Sequence, residues 1–172
     1  MEESKKEKKQ QSYLSFRLGK EEFAANVSNV LEILEMPAIT SIPHAPEYMR
    51  GVINLRGKVL PVLDTRLKFG LQINDDTVDT SIIVLRISLE GKEIEIGALV
   101  DGVEEVMELS ESDMEPAPKL GSDLKIKFIE GMVKNDDKFI MILNMDKVFS
   151  GEELLNIEEA TTSKQTSTAE EV

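Results

Sequence analysis

Two stretches of this chain carry the same punctuation 80 residues apart. GVINLRGKVLPVLDTRL at 51–67 and GMVKNDDKFIMILNMDKV at 131–148 align Gly51 with Gly131, Lys58 with Lys138, Leu63 with Leu143 and Asp64 with Asn144. Upstream, GKEEFAANVSNVLEI at 19–33 matches GKEIEIGALVDGVEEV at 91–106. There Val27 and Val30 fall against Val100 and Val103, 73 residues on, and Pro43 against Pro116 keeps that offset. Several ordered matches at nearly constant spacing indicate two copies of one supersecondary unit.

Each copy is built of short apolar runs rich in β-branched residues, such as YLSFRL, VINL, KVLPVLD, SIIVLRI, IEIGALV and KFIMILN, bounded by glycine and charged turn pairs. Such runs read as strands, with GKEE at 19–22 and GKE at 91–93 as hairpin turns. A copy of this length suits a small antiparallel barrel of about five strands, a form that removes most unpaired edges. The expectation is therefore mostly β: a first lobe at about 12–79 and a second at about 80–150, with a groove between them and exchange of strands left open. Short helical pieces are expected around 64–70 and 144–156, with Asp64 and Asn144 as N-caps. Pro61 donates no ladder hydrogen bond, which places its strand at an edge or a bulge. Residues 1–11 are uniformly charged and polar, and 157–172, IEEATTSKQTSTAEEV, offer little to bury, so both ends are expected to be disordered.

Composition removes several function classes. The 172 residues include no cysteine, which excludes disulfides, thiolate metal sites and thiol nucleophiles. The formal net charge is −13, and 12–150 alone hold 15 basic against 24 acidic residues. With only eight aromatics and no basic platform, nucleic-acid binding is disfavoured. The start has no signal-peptide pattern and no run is long enough to span a bilayer, so a soluble cytoplasmic protein is expected.

No catalytic set assembles. The single histidine, His44, sits in the proline-rich SIPHAPEYM with few partners. Nucleophile-elbow, phosphate-loop and dinucleotide fingerprints are missing. NDDTVD at 74–79 lacks the central glycine and terminal glutamate of a calcium loop. No cofactor is expected.

Arg56-Gly57 forms the tip between two buried strands. Two readings stand: a turn that stays wet, or a guanidinium paired with a carboxylate, for which Glu32 in VLEI is the candidate. The second copy has KNDD at 134–137 in this place and no arginine, as expected if one tip has a task of its own.

Over 13–149 the sequence resembles the chemotaxis coupling proteins, the CheW family, most strongly in IPHAPEYMRGVINLRGKVLPVLDTRLKFG (42–70) and again in GALVDGVEEVM (97–107). The resemblance implies two interlocked, five-stranded, SH3-like barrels with short helices. It also implies a non-catalytic adaptor joining the regulatory domain of the histidine kinase CheA to the cytoplasmic tips of methyl-accepting chemoreceptors, recruited to membrane-bound receptor arrays without entering the membrane. Carried over by motif, Val30, Glu32, Gly51, Arg56 and Gly57 are implied near the receptor, and Ile96, Gly97 and Val103 near the kinase. The alternative is a β-barrel binding a small ligand or another protein.

Overall fold

The computed structural model describes residues 10–73, 75–116 and 127–170, with side chains described up to 161. Most of the expected N-terminal tail and part of the acidic 74–79 loop lie outside the described residues.

Ten strands form. The first repeat contributes β1 (Gln11–Leu18), β2 (Glu21–Asn26), β3 (Val30–Glu35), β4 (Met49–Leu55) and β5 (Lys58–Asp64). The second contributes β6 (Ser81–Leu89), β7 (Lys92–Val100), β8 (Gly102–Leu109), β9 (Ile129–Asn135) and β10 (Lys138–Leu143). They make two five-stranded sheets, ordered β8-β1-β2-β10-β9 and β3-β6-β7-β5-β4. The sheets do not divide at the expected 79/80 boundary. Each repeat's leading hairpin is completed by three strands of the other repeat, and in each sheet one of the two junctions between repeats is a parallel pair, β10 on β2 and β5 on β7. The chain passes between sheets through a short 3₁₀ turn, Val27–Asn29, and again at Asp101.

Alternation along the strands yields three cores. Ile53, Leu60, Val62, Ile82, Val84 and Leu99 fill the inside of one sheet, and Tyr13, Ala24, Leu109, Ile140 and Ile142 the inside of the other. The largest core lies between the sheets, with Leu14, Phe16, Phe23, Leu63, Ile83, Ile96, Ala98 and Phe149 among its members. Phe23 stacks on Phe69 at 5.4 Å between centroids, and Phe69 on Phe128 at 5.0 Å.

The repeat extends to the caps. Asp64 and Asn144 each accept a hydrogen bond from the backbone N–H two residues on, starting the single-turn helices α1 (Thr65–Lys68) and α2 (Met145–Val148). Their own N–H groups donate to the carbonyls of Tyr48 and Phe128, both at 2.7 Å.

Three local expectations are corrected. Gln11, expected in the disordered tail, opens β1 opposite Leu109. Pro61 lies in β5, an interior strand rather than an edge. It faces Val52 in what counting from the Leu55-Lys58 pair makes a non-hydrogen-bonded pair, so its nitrogen points away from β4, and on the other side the parallel pairing with β7 begins only at Val62. The acidic tail is not irregular where it is described: α3 runs Gly151–Glu170. It is anchored because Leu154 and Ile157 are buried in the inter-sheet core, and Lys68-Glu153 and Lys92-Glu158 pairs tie it down.

Candidate functional site

The tip of the β4-β5 hairpin is a two-residue turn in which Arg56 (φ 52°) and Gly57 (φ 84°) are both left-handed, the type I′ geometry that matches strand twist. Glycine takes that conformation freely, whereas an arginine there is strained and needs support. Asn54 supplies some of it: its Oδ1 accepts the Gly57 N–H at 2.8 Å.

On β3, Glu32 pairs with Val84, a member of one sheet's internal core, and so points to that sheet's mouth. There Arg56 Nη1 donates to Glu32 Oε1 at 2.9 Å and Nη2 to Oε2 at 2.6 Å, a bidentate fork. The Arg56 side chain remains 73% exposed and that of Glu32 25%. Because β3 and β4 are opposite edges of the sheet, the pair ties one edge to the tip beside the other. The hydrogen bonds from Arg56 pull the Glu32 carboxyl below its ordinary range and push Arg56 up.

Gly51 serves the same closure from inside. The chain leaving β3 crosses to β4, where Thr40 and Val52 exchange backbone hydrogen bonds of 2.9 Å each. A Cβ on Gly51 would lie 2.2 Å from the Thr40 carbonyl oxygen, and its φ is 152°. Gly131 has the corresponding role in the other sheet, its Cβ position 2.8 Å from the Glu115 oxygen beside the Glu115-Met132 bridge.

Of the residues picked from the sequence, Arg56, Glu32 and Gly57 are thus brought together at an accessible mouth. Gly51 is buried beneath them. Val30 and Val103, equivalent in the two repeats, sit half-buried at the edges of the inter-sheet core. Ile96 and Gly97 are buried in β7, and a Cβ at Gly97 would meet Ile82 Cγ2 at 2.8 Å, so they offer no surface for direct contact. Sequence reasoning passed over Asn54 and Thr40. It also passed over Ile33 and Val106, which share the face of the inter-sheet core on edge strands β3 and β8, yet are 47% and 61% exposed.

A second, buried charge cluster lies where the chain changes sheets. Arg66, fully buried, grips both oxygens of Asp64 at 2.9 Å and reaches Asp101 at 2.8 Å, while the other Asp101 oxygen accepts the Gly19 N–H at 2.6 Å. Asp101 is where the chain changes sheets, so this cluster joins the two. Above it, Arg17 pairs with Glu104 and approaches Asp79. His44, itself left-handed at φ 63°, lines an open cleft of about 640 Å³ with Tyr48, Glu152 and Glu159. No three histidine, cysteine or acidic residues among the described ones are placed to hold a metal ion. No described helix is long and apolar enough to cross a membrane.

This architecture has relatives. The family model for the CheW-like domain matches residues 12–153. The chain belongs to the CheW-like family. Among the relatives, the chemotaxis protein CheW of Rhizobium meliloti is 37% identical over 140 residues, covering 81% of this chain and 88% of its own length. The chemotaxis protein CheW of Klebsiella aerogenes is 31% identical over 153 residues, 89% of this chain and 90% of its own. The crystal structure of the scaffolding protein TtCheW from Thermoanaerobacter tengcongensis superposes with a TM-score of 0.72 at 33% identity, covering 84% of this chain and 96% of that one. The CheW-like resemblance read from 42–70 and 97–107 is therefore shown, as is the pair of five-stranded sheets it implied.

Proposed function

We propose that this CheW-like protein is a cytoplasmic, non-catalytic chemotaxis adaptor that couples the histidine kinase CheA to the cytoplasmic tips of chemoreceptors and so places kinase activity under receptor control. The observation that carries this reading is that 51–57, the most specific stretch of the family resemblance, builds an exposed bidentate pair at a barrel mouth rather than a reactive centre. A planar fork with most of its surface free suits the polar face of a helical hairpin, and uncovered Ile33 and Val106 suit its apolar face. Val30, Glu32, Arg56 and Gly57 form the receptor side of this reading, with Gly51 supporting them from below. On the kinase side Val103 is the accessible member, and Ile96 and Gly97 act through the packing of β7. A ligand-binding barrel is the weaker reading, because the inside of each sheet is filled by its own side chains.

The test is co-sedimentation of the protein with receptor signalling fragments and the kinase from the same organism, scoring both assembly and autophosphorylation. Ternary assembly with altered kinase activity, lost on Arg56→Glu while circular dichroism is unchanged, supports the adaptor and its receptor contact. Unfolding of Arg56→Glu sinks the receptor-contact assignment, and absence of assembly by the wild-type protein sinks the adaptor reading.

A further inference from the structure

Arg56 is held in a backbone conformation that L-residues other than asparagine and aspartate seldom adopt, and from there its guanidinium reaches Glu32. The turn's own ladder ends at the Leu55-Lys58 pair, leaving the Gly57 N–H at the tip without a strand partner. Asn54, exposed and contributing nothing to either sheet's core, places its side-chain oxygen on that N–H. The equivalent tip of the second repeat has Lys134 in this position and no arginine to aim.

From these contacts we infer that Asn54 is a positioning residue for receptor recognition: by accepting the Gly57 N–H it fixes the left-handed turn that aims Arg56 across the barrel mouth at Glu32. Asn54 bonds to the Gly57 N–H, while the Arg56 guanidinium bonds to Glu32, so Asn54 acts through the turn. The inference rests on the adaptor reading for its consequence, but not for its geometry. Pre-organisation is the physical content: a guanidinium already fixed loses less rotamer freedom when a partner docks on it.

The experiment has one arm in the free protein and one with the receptor. In the free protein, NMR follows the Glu32 carboxyl titration and the exchange of the Gly57 amide. Asn54→Ala is expected to speed Gly57 exchange and to return Glu32 toward the ordinary carboxylate range, as Arg56→Ala does outright. Asn54→Asp, whose carboxylate still accepts the N–H, keeps the Gly57 amide protected. With receptor signalling fragments, Asn54→Ala is expected to weaken binding about three- to ten-fold, the range of one hydrogen bond, and to add nothing in an Arg56→Ala background. An unchanged Glu32 titration in Asn54→Ala overturns the inference, and so do losses that multiply in the double variant. If the wild-type protein ignores the receptor, the adaptor reading fails while the titration arm still decides whether Asn54 positions Arg56.

Discussion

Gly51 and Thr40 are in backbone contact so close that the smallest side chain on Gly51 would overlap the Thr40 carbonyl oxygen at 2.2 Å. That overlap is with main chain, which cannot swing aside, and the left-handed φ adds its own strain. Gly51→Ala should therefore destabilise the protein by about 2–4 kcal/mol in denaturant unfolding, with Gly131→Ala distinctly milder because its nearest atom is 2.8 Å away. Equal effects at the two glycines would remove the special place given to the Thr40 crossing.

Protonation should open the mouth. The Arg56 hydrogen bonds lower Glu32's pKa in the folded state, so the pair's contribution is fully present above the ordinary glutamate range and is lost as pH falls through the depressed folded value. On the proposed adaptor function, receptor recruitment should hold at neutral and mildly acidic pH and decline only below the ordinary range. A Glu32→Gln protein should lack that acid limb, and binding curves measured for both against pH would reveal a shared decline if another group is responsible.

Arg66 should be far less tolerant than Arg56. Removing a sealed guanidinium leaves Asp64 and Asp101 facing one another with nothing between them, and Arg66→Ala is expected to cost about 3–5 kcal/mol in equilibrium unfolding. Arg66→Lys should recover only part of this loss, since one ammonium cannot grip both Asp64 oxygens and reach Asp101.

The final helix should contribute through its two buried side chains, Leu154 and Ile157. Ile157 is buried in the inter-sheet core, and Ile157→Ala is expected to cost about 2–4 kcal/mol. Truncation after 156 should destabilise at least as much. A truncated protein with an unchanged thermal midpoint would mean that α3 rests on the core without supporting it.

How much of this could be read in advance depends on how local the cause is. Asp64 and Asn144 were legible because a cap answers to atoms two residues away, and the aligned Gly51 and Gly131 because a repeated close approach repeats its glycine. Arg56 and Glu32 could be paired on paper because a lone arginine at a turn invites a carboxylate. Strand exchange could not be read: β3 completing the other repeat's hairpin is a choice among edges of similar pattern, settled by distant packing. Ile157 was hidden in a polar run, where burial depends on the surface the helix meets. Pro61 misled because an interior strand accepts proline where the missing N–H falls outside both ladders, turned from β4 and lying before the pairing with β7 begins at Val62. The sequence did carry a sign of Asn54, an asparagine two residues before an Arg-Gly turn.

The crossed connectivity sets how such a molecule behaves under load. The two repeats cannot part as units without unzipping four strand pairs, β8-β1 and β2-β10 in one sheet and β3-β6 and β5-β7 in the other. The passages between the sheets are short, a single 3₁₀ turn and one aspartate clamped by a buried arginine. Tension between the two repeats is therefore borne by backbone ladders in both sheets rather than by a linker.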